Sequence, residues 1–212
     1  MTLSSLGIGF VLVAVVVAGV ASVLLIARYH LHSFLSPNVP NADASILIVE
    51  GWMDDAALKR VLPIFNHGEY STLVTVGGPL KMGAYLSPYK TLAELSAATL
   101  TAFGCDTDRL VAVPSGDSMR DRTESTAITF REWLAVYRPD VQSVNLYSHG
   151  VHARRSWVLY KRALEPSVRV GVISSTPMAY DPVHWWRSSE GAKRVLVECI
   201  ALTHTLIVGS LK

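Results

Sequence analysis

Neither of the glycine-rich fingerprints that cradle phosphates is present: the chain has no GxGxxG and no GxxxxGK[ST]. Ordinary dinucleotide and P-loop nucleotide binding therefore have no motif support. A GxSxG elbow is missing as well, which leaves a serine-hydrolase reading of Ser115 or Ser148 weak. Cysteine is scarce. Cys105 and Cys199 share no CxxC spacing, so no disulfide framework or zinc ribbon is encoded, and two free thiols are favoured over a bridge between them. Charge of either sign is also in short supply, with 19 Lys and Arg against 17 Asp and Glu for a net +2. That balance implies neither nucleic-acid binding nor general adhesion to anionic membranes.

Charge is wholly absent from one stretch, and there the hydrophobic excess is concentrated. Leu6 to Ala27 contains 22 residues without a charged side chain, which as a helix reach about 33 Å, enough for a hydrocarbon core. A cleaved signal peptide fits less well than an uncleaved anchor, because no Lys or Arg precedes the run and the run exceeds a usual signal core. Arg28 on the far flank leans the positive-inside rule slightly towards a cytoplasmic domain, but long domains can cross regardless of so small a bias. The expected organisation is a transmembrane anchor over residues 1–28, a connector over 29–42 with Pro37 and Pro40, and one α/β domain over 43–212.

Within that domain short β-branched runs alternate with helical patterns five times. Strands are expected at Ala44–Val49, Thr72–Val76, Leu110–Val113, Val144–Tyr147 and Val168–Ile173. Such alternation predicts a mostly parallel five-stranded sheet with helices on both faces, a Rossmann-like α/β fold after one amino-terminal transmembrane helix. A long irregular stretch, Leu80 to Lys90, separates the second strand from its helix. The last helix, Ser189 to about Val208, is apolar on one side, and its charged residues argue against a second membrane span.

In a parallel sheet the loops after the strands share one edge, and ligands bind there. The expected site is therefore the corner Ser148-His149-Gly150 with His152, Arg154 and Arg155, together with Gly51, Gly77, Gly78, Arg122, Thr123 and Glu124. Glycines let backbone amides approach a ligand, and Arg122 and Arg155 bring positive charge, although Arg122 is equally able to pair with Asp121 or Glu124. Of Arg154 and Arg155 only one can face the site, and Arg155 is preferred because it lies one turn from His152. His152 is the expected proton-transfer group. His149 and His152 lack an evident third ligand, so no metal site is expected. Trp185-Trp186 reads either as an apolar wall of the site or, preferably, as packing for the last helix.

The blocks ADASILIVEGW, LVTVGGPL, GCDTDRLVAVPSGDSMRDRTESTA and LYSHGVHARRS, in this order, resemble the SanA/YdcF/ElyC-like family of membrane-associated bacterial envelope proteins over nearly the whole chain after the anchor. In that resemblance Gly77-Gly78 matches the strand-end glycines, Arg122-Thr123-Glu124 the polar block, and His152 with Arg155 the His and Arg block. Two departures are Glu50-Gly51-Trp52 in place of a glycine pair and Ala127 where many relatives carry Asn. The resemblance implies a single-pass protein of the inner membrane, its domain extracytoplasmic, connected with cell-wall or carrier-lipid metabolism. The expected ligand is an anionic or phosphorylated small molecule or lipid-linked intermediate, with no cofactor specified. Two other readings stay open: a non-catalytic sensor or scaffold, and a binder of a nucleotide-like cofactor such as S-adenosylmethionine.

Overall fold

The computed structural model describes residues 5–118 and 121–208. After the helix α1 (Ser5–Leu35) come β1 (Ile46–Glu50), α2 (Asp55–His67), β2 (Thr72–Gly77), α3 (Leu92–Ala102), β3 (Leu110–Pro114), α4 (Arg122–Tyr137), β4 (Ser143–His149), α5 (Ala153–Leu164), β5 (Arg169–Ser175) and α6 (Ser189–Val208). The five strands form one all-parallel sheet in the order β3-β2-β1-β4-β5. This is the Rossmann order, and its direction of winding reverses between β1 and β4.

The strands carry apolar residues on both faces because both are covered. Ile46 and Ile48 of β1 point into one core, with Val74, Val144, Phe130 and Tyr160, under α4 and α5. The alternating residues Leu47 and Val49 point into the other, with Leu58, Val61, Phe65 and Leu100, under α2 and α3. A third, smaller core joins Leu35 of α1 to Val151, Tyr180, Trp185, Val195 and Leu202.

The region expected to be a connector from residue 29 is helical as far as Leu35. Nothing breaks the helix before Pro37, and the last turns gain contacts with the domain. Trp185 Nε1 donates to the Arg28 carbonyl at 3.0 Å, the Arg28 guanidinium lies 4.2 Å from the Trp186 ring, and His32 Nε2 is 3.2 Å from the Tyr180 hydroxyl. From Ser36 the chain runs antiparallel to β5, with Val39 and Val172 exchanging backbone hydrogen bonds. Asn145 then clips Asn41 by both its N–H and its carbonyl. Among the described residues one helical segment, Gly9–Leu35, is long and apolar enough to cross a membrane.

Close packing of α3 on the sheet explains two glycines. A Cβ at Gly51 would sit 2.5 Å from the Leu92 carbonyl oxygen, and one at Gly77 would sit 2.7 Å from Leu92 Cβ. Both glycines let a helix approach the strand ends, and Gly51 lies outside the cavity described below.

Candidate functional site

The reversal between β1 and β4 opens a crevice of about 720 Å³ at the carboxyl ends of the strands, within the usual range for a small-molecule site. Its floor is Glu50, the last residue of β1 and only 2% exposed. Both oxygens of this carboxyl group accept a hydroxyl: one from Ser148 at the end of β4, the other from Ser156 of α5 at 2.8 Å. Such pairing is what permits a carboxyl group to be buried.

His152 stands above Glu50 at the turn into α5. Its Nδ1 lies 2.8 Å from Glu198 Oε1 and also 2.9 Å from an Arg155 nitrogen. Nδ1 cannot donate to one and accept from the other, and Glu198 decides between them. Burial alone would raise the Glu198 carboxyl, but hydrogen bonds from His152 and Arg155 and their charge lower it to about 2. It is an anion at neutral pH, so Nδ1 carries a proton and donates to Oε1, while Arg155 Nε donates to Oε2 at 2.9 Å. The other ring nitrogen, Nε2, faces Glu50 Oε1 at 3.7 Å and has no hydrogen-bond partner among the described residues. Trp52 closes edge-on against the imidazole, with ring centres 4.9 Å apart. The result is an imidazole on the cavity wall, oriented by one carboxylate and with its buried second nitrogen facing another, a residue type and setting suited to proton transfer.

The walls bring further groups. His149 lines the cavity, its Nδ1 2.9 Å from the Ser175 hydroxyl, and burial lowers its pKa so that the ring is neutral at pH 7. Arg122 and Thr123 line it from the first turn of α4, and Gly77 and Gly78 from the end of β2. Helix α6 supplies Glu190, Lys193, Arg194 and Glu198. Four acids and four Lys or Arg residues line the crevice. Arg155 is engaged by Glu198 and Arg194 by Glu190, whereas Arg122 and Lys193 form no ion pair with any described residue.

The helix amino termini at this edge differ in their capping. Asp54 caps α2 by accepting from Ala57 N, and Thr91 and Glu94 form a full capping box on α3. Each of these helices thus brings its own carboxylate to the end where an anion would dock. At α4 the cap position is Asp121, held at φ 53° with no side-chain cap hydrogen bond. Arg122 and Thr123 follow it in the first turn, which also carries the carboxylate of Glu124.

Most residues expected from the sequence therefore converge: Gly77, Gly78, Arg122, Thr123, His149, His152 and Arg155 line one cavity. Arg154 turns away, stacking on Phe34 of α1 and donating to its carbonyl. Gly51, Glu124 and Ser148 lie outside the lining, although Ser148 supports Glu50 from beneath. Among the described residues no three His, Cys, Asp or Glu side chains gather as metal ligands, and both cysteines are free thiols. Trp185 packs between α1 and α6. Ser156, Lys193, Arg194 and Glu198 were not among the residues expected from the sequence, and Glu50 was expected only within the strand-end stretch Glu50-Gly51-Trp52. A signal existed for α6, since Glu190, Arg194 and Glu198 recur every four residues and mark one polar stripe on an otherwise apolar helix.

Fold and site define an α/β protein with a Rossmann-order sheet and a strand-end crevice containing an oriented histidine. No family model and no curated protein matches the chain.

Proposed function

We propose that this is a membrane-anchored protein of the bacterial envelope, similar to the SanA/YdcF/ElyC-like family, whose crevice binds a phosphorylated or otherwise anionic small molecule and carries out acid-base chemistry on it. The observation that carries the reading is the pairing of two kinds of group on one cavity. Arg122 and Lys193, neither in an ion pair with a described residue, offer charge to an anion, and His152, oriented by Glu198, offers a proton-transfer nitrogen beside it. Arg122 stands in the first turn of α4, whose cap position makes no side-chain hydrogen bond. The capped, acidic start of α2 disfavours the usual dinucleotide placement, in which a pyrophosphate sits on that helix.

A lipid-linked phosphate suits the position of the crevice, because Tyr180 lines it and also contacts His32 of α1. On this reading α1 crosses the inner membrane once and the domain lies outside the cytoplasm, which a topology reporter fused after Lys212 tests directly.

The binding test uses the full chain in mild detergent, with thermal shift measured against inorganic phosphate, farnesyl phosphate and S-adenosylmethionine. Farnesyl phosphate raises the melting temperature, by the equivalent of about 2.7 kcal/mol at a hundredfold excess over Kd. Arg122→Ala and Lys193→Ala each weaken that binding about tenfold, the loss of one charge-assisted contact. His152→Gln retains binding and loses turnover. A folded chain that shifts with none of these ligands refutes the reading.

A further inference from the structure

The loop between β2 and α3 is tied by its own hydrogen bonds, yet it presents large apolar side chains to solvent. Met82 is 90% exposed, Tyr85 96% and Leu86 87%. The loop is held at its base by Leu80 N–H on the Lys90 carbonyl, and internally by Lys90 Nζ, which donates to the carbonyls of Ala84 at 2.9 Å and Ser87 at 2.8 Å. Gly83, at φ +73°, makes the turn that sets these side chains outward. Three neighbouring apolar side chains held outward by a built loop call for a partner surface.

The position of α1 says which surface. The hydrogen bonds and ring contacts of its last turns are with segments that follow strands, Trp185, Trp186 and Tyr180 after β5 and Arg154 after β4, while Leu35 shares a core with Val151 and with Val195 and Leu202 of α6. From Leu35 the chain then passes along β5 in the opposite direction, reaching Ser45 beside Ser143, where the strands begin. Helix α1 thus leaves the domain from the edge where the strands end, and Phe10, Leu12, Val16, Val20, Val23 and Ile26 along it are each more than half exposed. The loop of residues 80–90 rises from this same edge. β2 lies three strand spacings from β5, about 14 Å, with the mouth of the crevice at β1 and β4 between them.

We propose that Met82, Tyr85 and Leu86 form a second membrane contact, seated in the interface of the bilayer that α1 crosses. Together with Tyr29 and Trp186 around the end of α1, they set the strand-end edge against the lipid headgroups, and the crevice opens onto the membrane surface. An aromatic ring with a polar tip between two aliphatic side chains suits that interface. The inference rests on α1 crossing a bilayer and is independent of which ligand the crevice takes.

The test uses the unmodified full chain in nanodiscs of phosphatidylcholine and phosphatidylglycerol containing a lipid with a diazirine high on its acyl chain. After irradiation, adducts are mapped by mass spectrometry. The expected result is adducts on α1 and also on Met82, Tyr85 or Leu86, with none on Glu69, which is exposed at the opposite edge. Adducts on α1 alone overturn the proposal while leaving the anchor standing, and point to a protein partner for the loop. The absence of adducts on α1 overturns the anchor and the proposal together. Equal labelling of the loop and Glu69 overturns it as non-specific.

Discussion

Glu198→Gln removes one charge from the His152–Arg155 cluster while keeping the shape of the side chain. In the folded chain the carboxyl falls from an ordinary 4.5 to about 2, which corresponds to about 3 kcal/mol at about 1.36 kcal/mol per pH unit. The side chain is only 14% exposed, so solvent screening removes little of this. Because the folded pKa lies below the unfolded one, the contribution is complete above about pH 4.5 and is lost as pH falls through about 2. Near pH 3 roughly half of it remains. For a domain of this size, 1 kcal/mol moves the melting temperature by about 2–4 °C. The variant is therefore expected to melt about 6–12 °C below the parent at pH 7, with the gap about halved at pH 3. Melting the full chain in mild detergent at pH 7, 5 and 3, followed by tryptophan fluorescence, gives the comparison. A gap equal at pH 3 and pH 7 would show that the loss is packing and not charge, and a gap below about 1 °C at pH 7 would refute the assigned network.

Ser156→Ala takes one of the two hydroxyls from Glu50 and is expected to cost about 1–3 kcal/mol, read as a lower melting temperature. Gly77→Ala places a methyl 2.7 Å from Leu92 Cβ and 2.9 Å from the Ala93 nitrogen, at a cost of about 1–3 kcal/mol; Gly78→Ala, whose Cβ would stand 3.5 Å from the nearest atom, is nearly neutral by the same assay. Asn145→Ala leaves the Asn41 N–H and the Tyr70 hydroxyl without their partner, and a loss of about 2 kcal/mol is expected, with faster hydrogen exchange over residues 38–44.

The sheet was legible in the sequence because its strands are buried on both faces and read as short apolar runs between helical patterns. All five runs extend one to two residues further at the site edge, to Glu50, Gly77, Pro114, His149 and Ser175, because backbone pairing continues past the run of large apolar side chains. His152 and Arg155 were legible from their one-turn spacing beside a strand end. Their partner Glu198 lies more than forty residues on, and only packing of α6 across the crevice brings it to them. Glu50 was visible at a strand end, but its meaning depends on Ser148 and Ser156 from other elements. Gly51 read as a ligand-facing glycine because sequence cannot say whether a close approach comes from a ligand or from a helix; here it is α3. The length of α1 was underestimated because the change from membrane-like to amphipathic composition near Arg28 resembles a stop, whereas the backbone has no reason to end before Pro37.

That unbroken run from the apolar stretch into the third core leaves the domain without a swivel. Its last turns are gripped by Trp185, Tyr180 and Arg154, so in a bilayer any tilt of the rod is a tilt of the whole body. The 27 residues from Gly9 to Leu35 make a lever about 40 Å long, and a lever of that length leans further as the hydrocarbon layer thins. Membrane thickness would then act as a dial on the angle at which the crevice meets the lipid surface, with no change in any contact inside the domain.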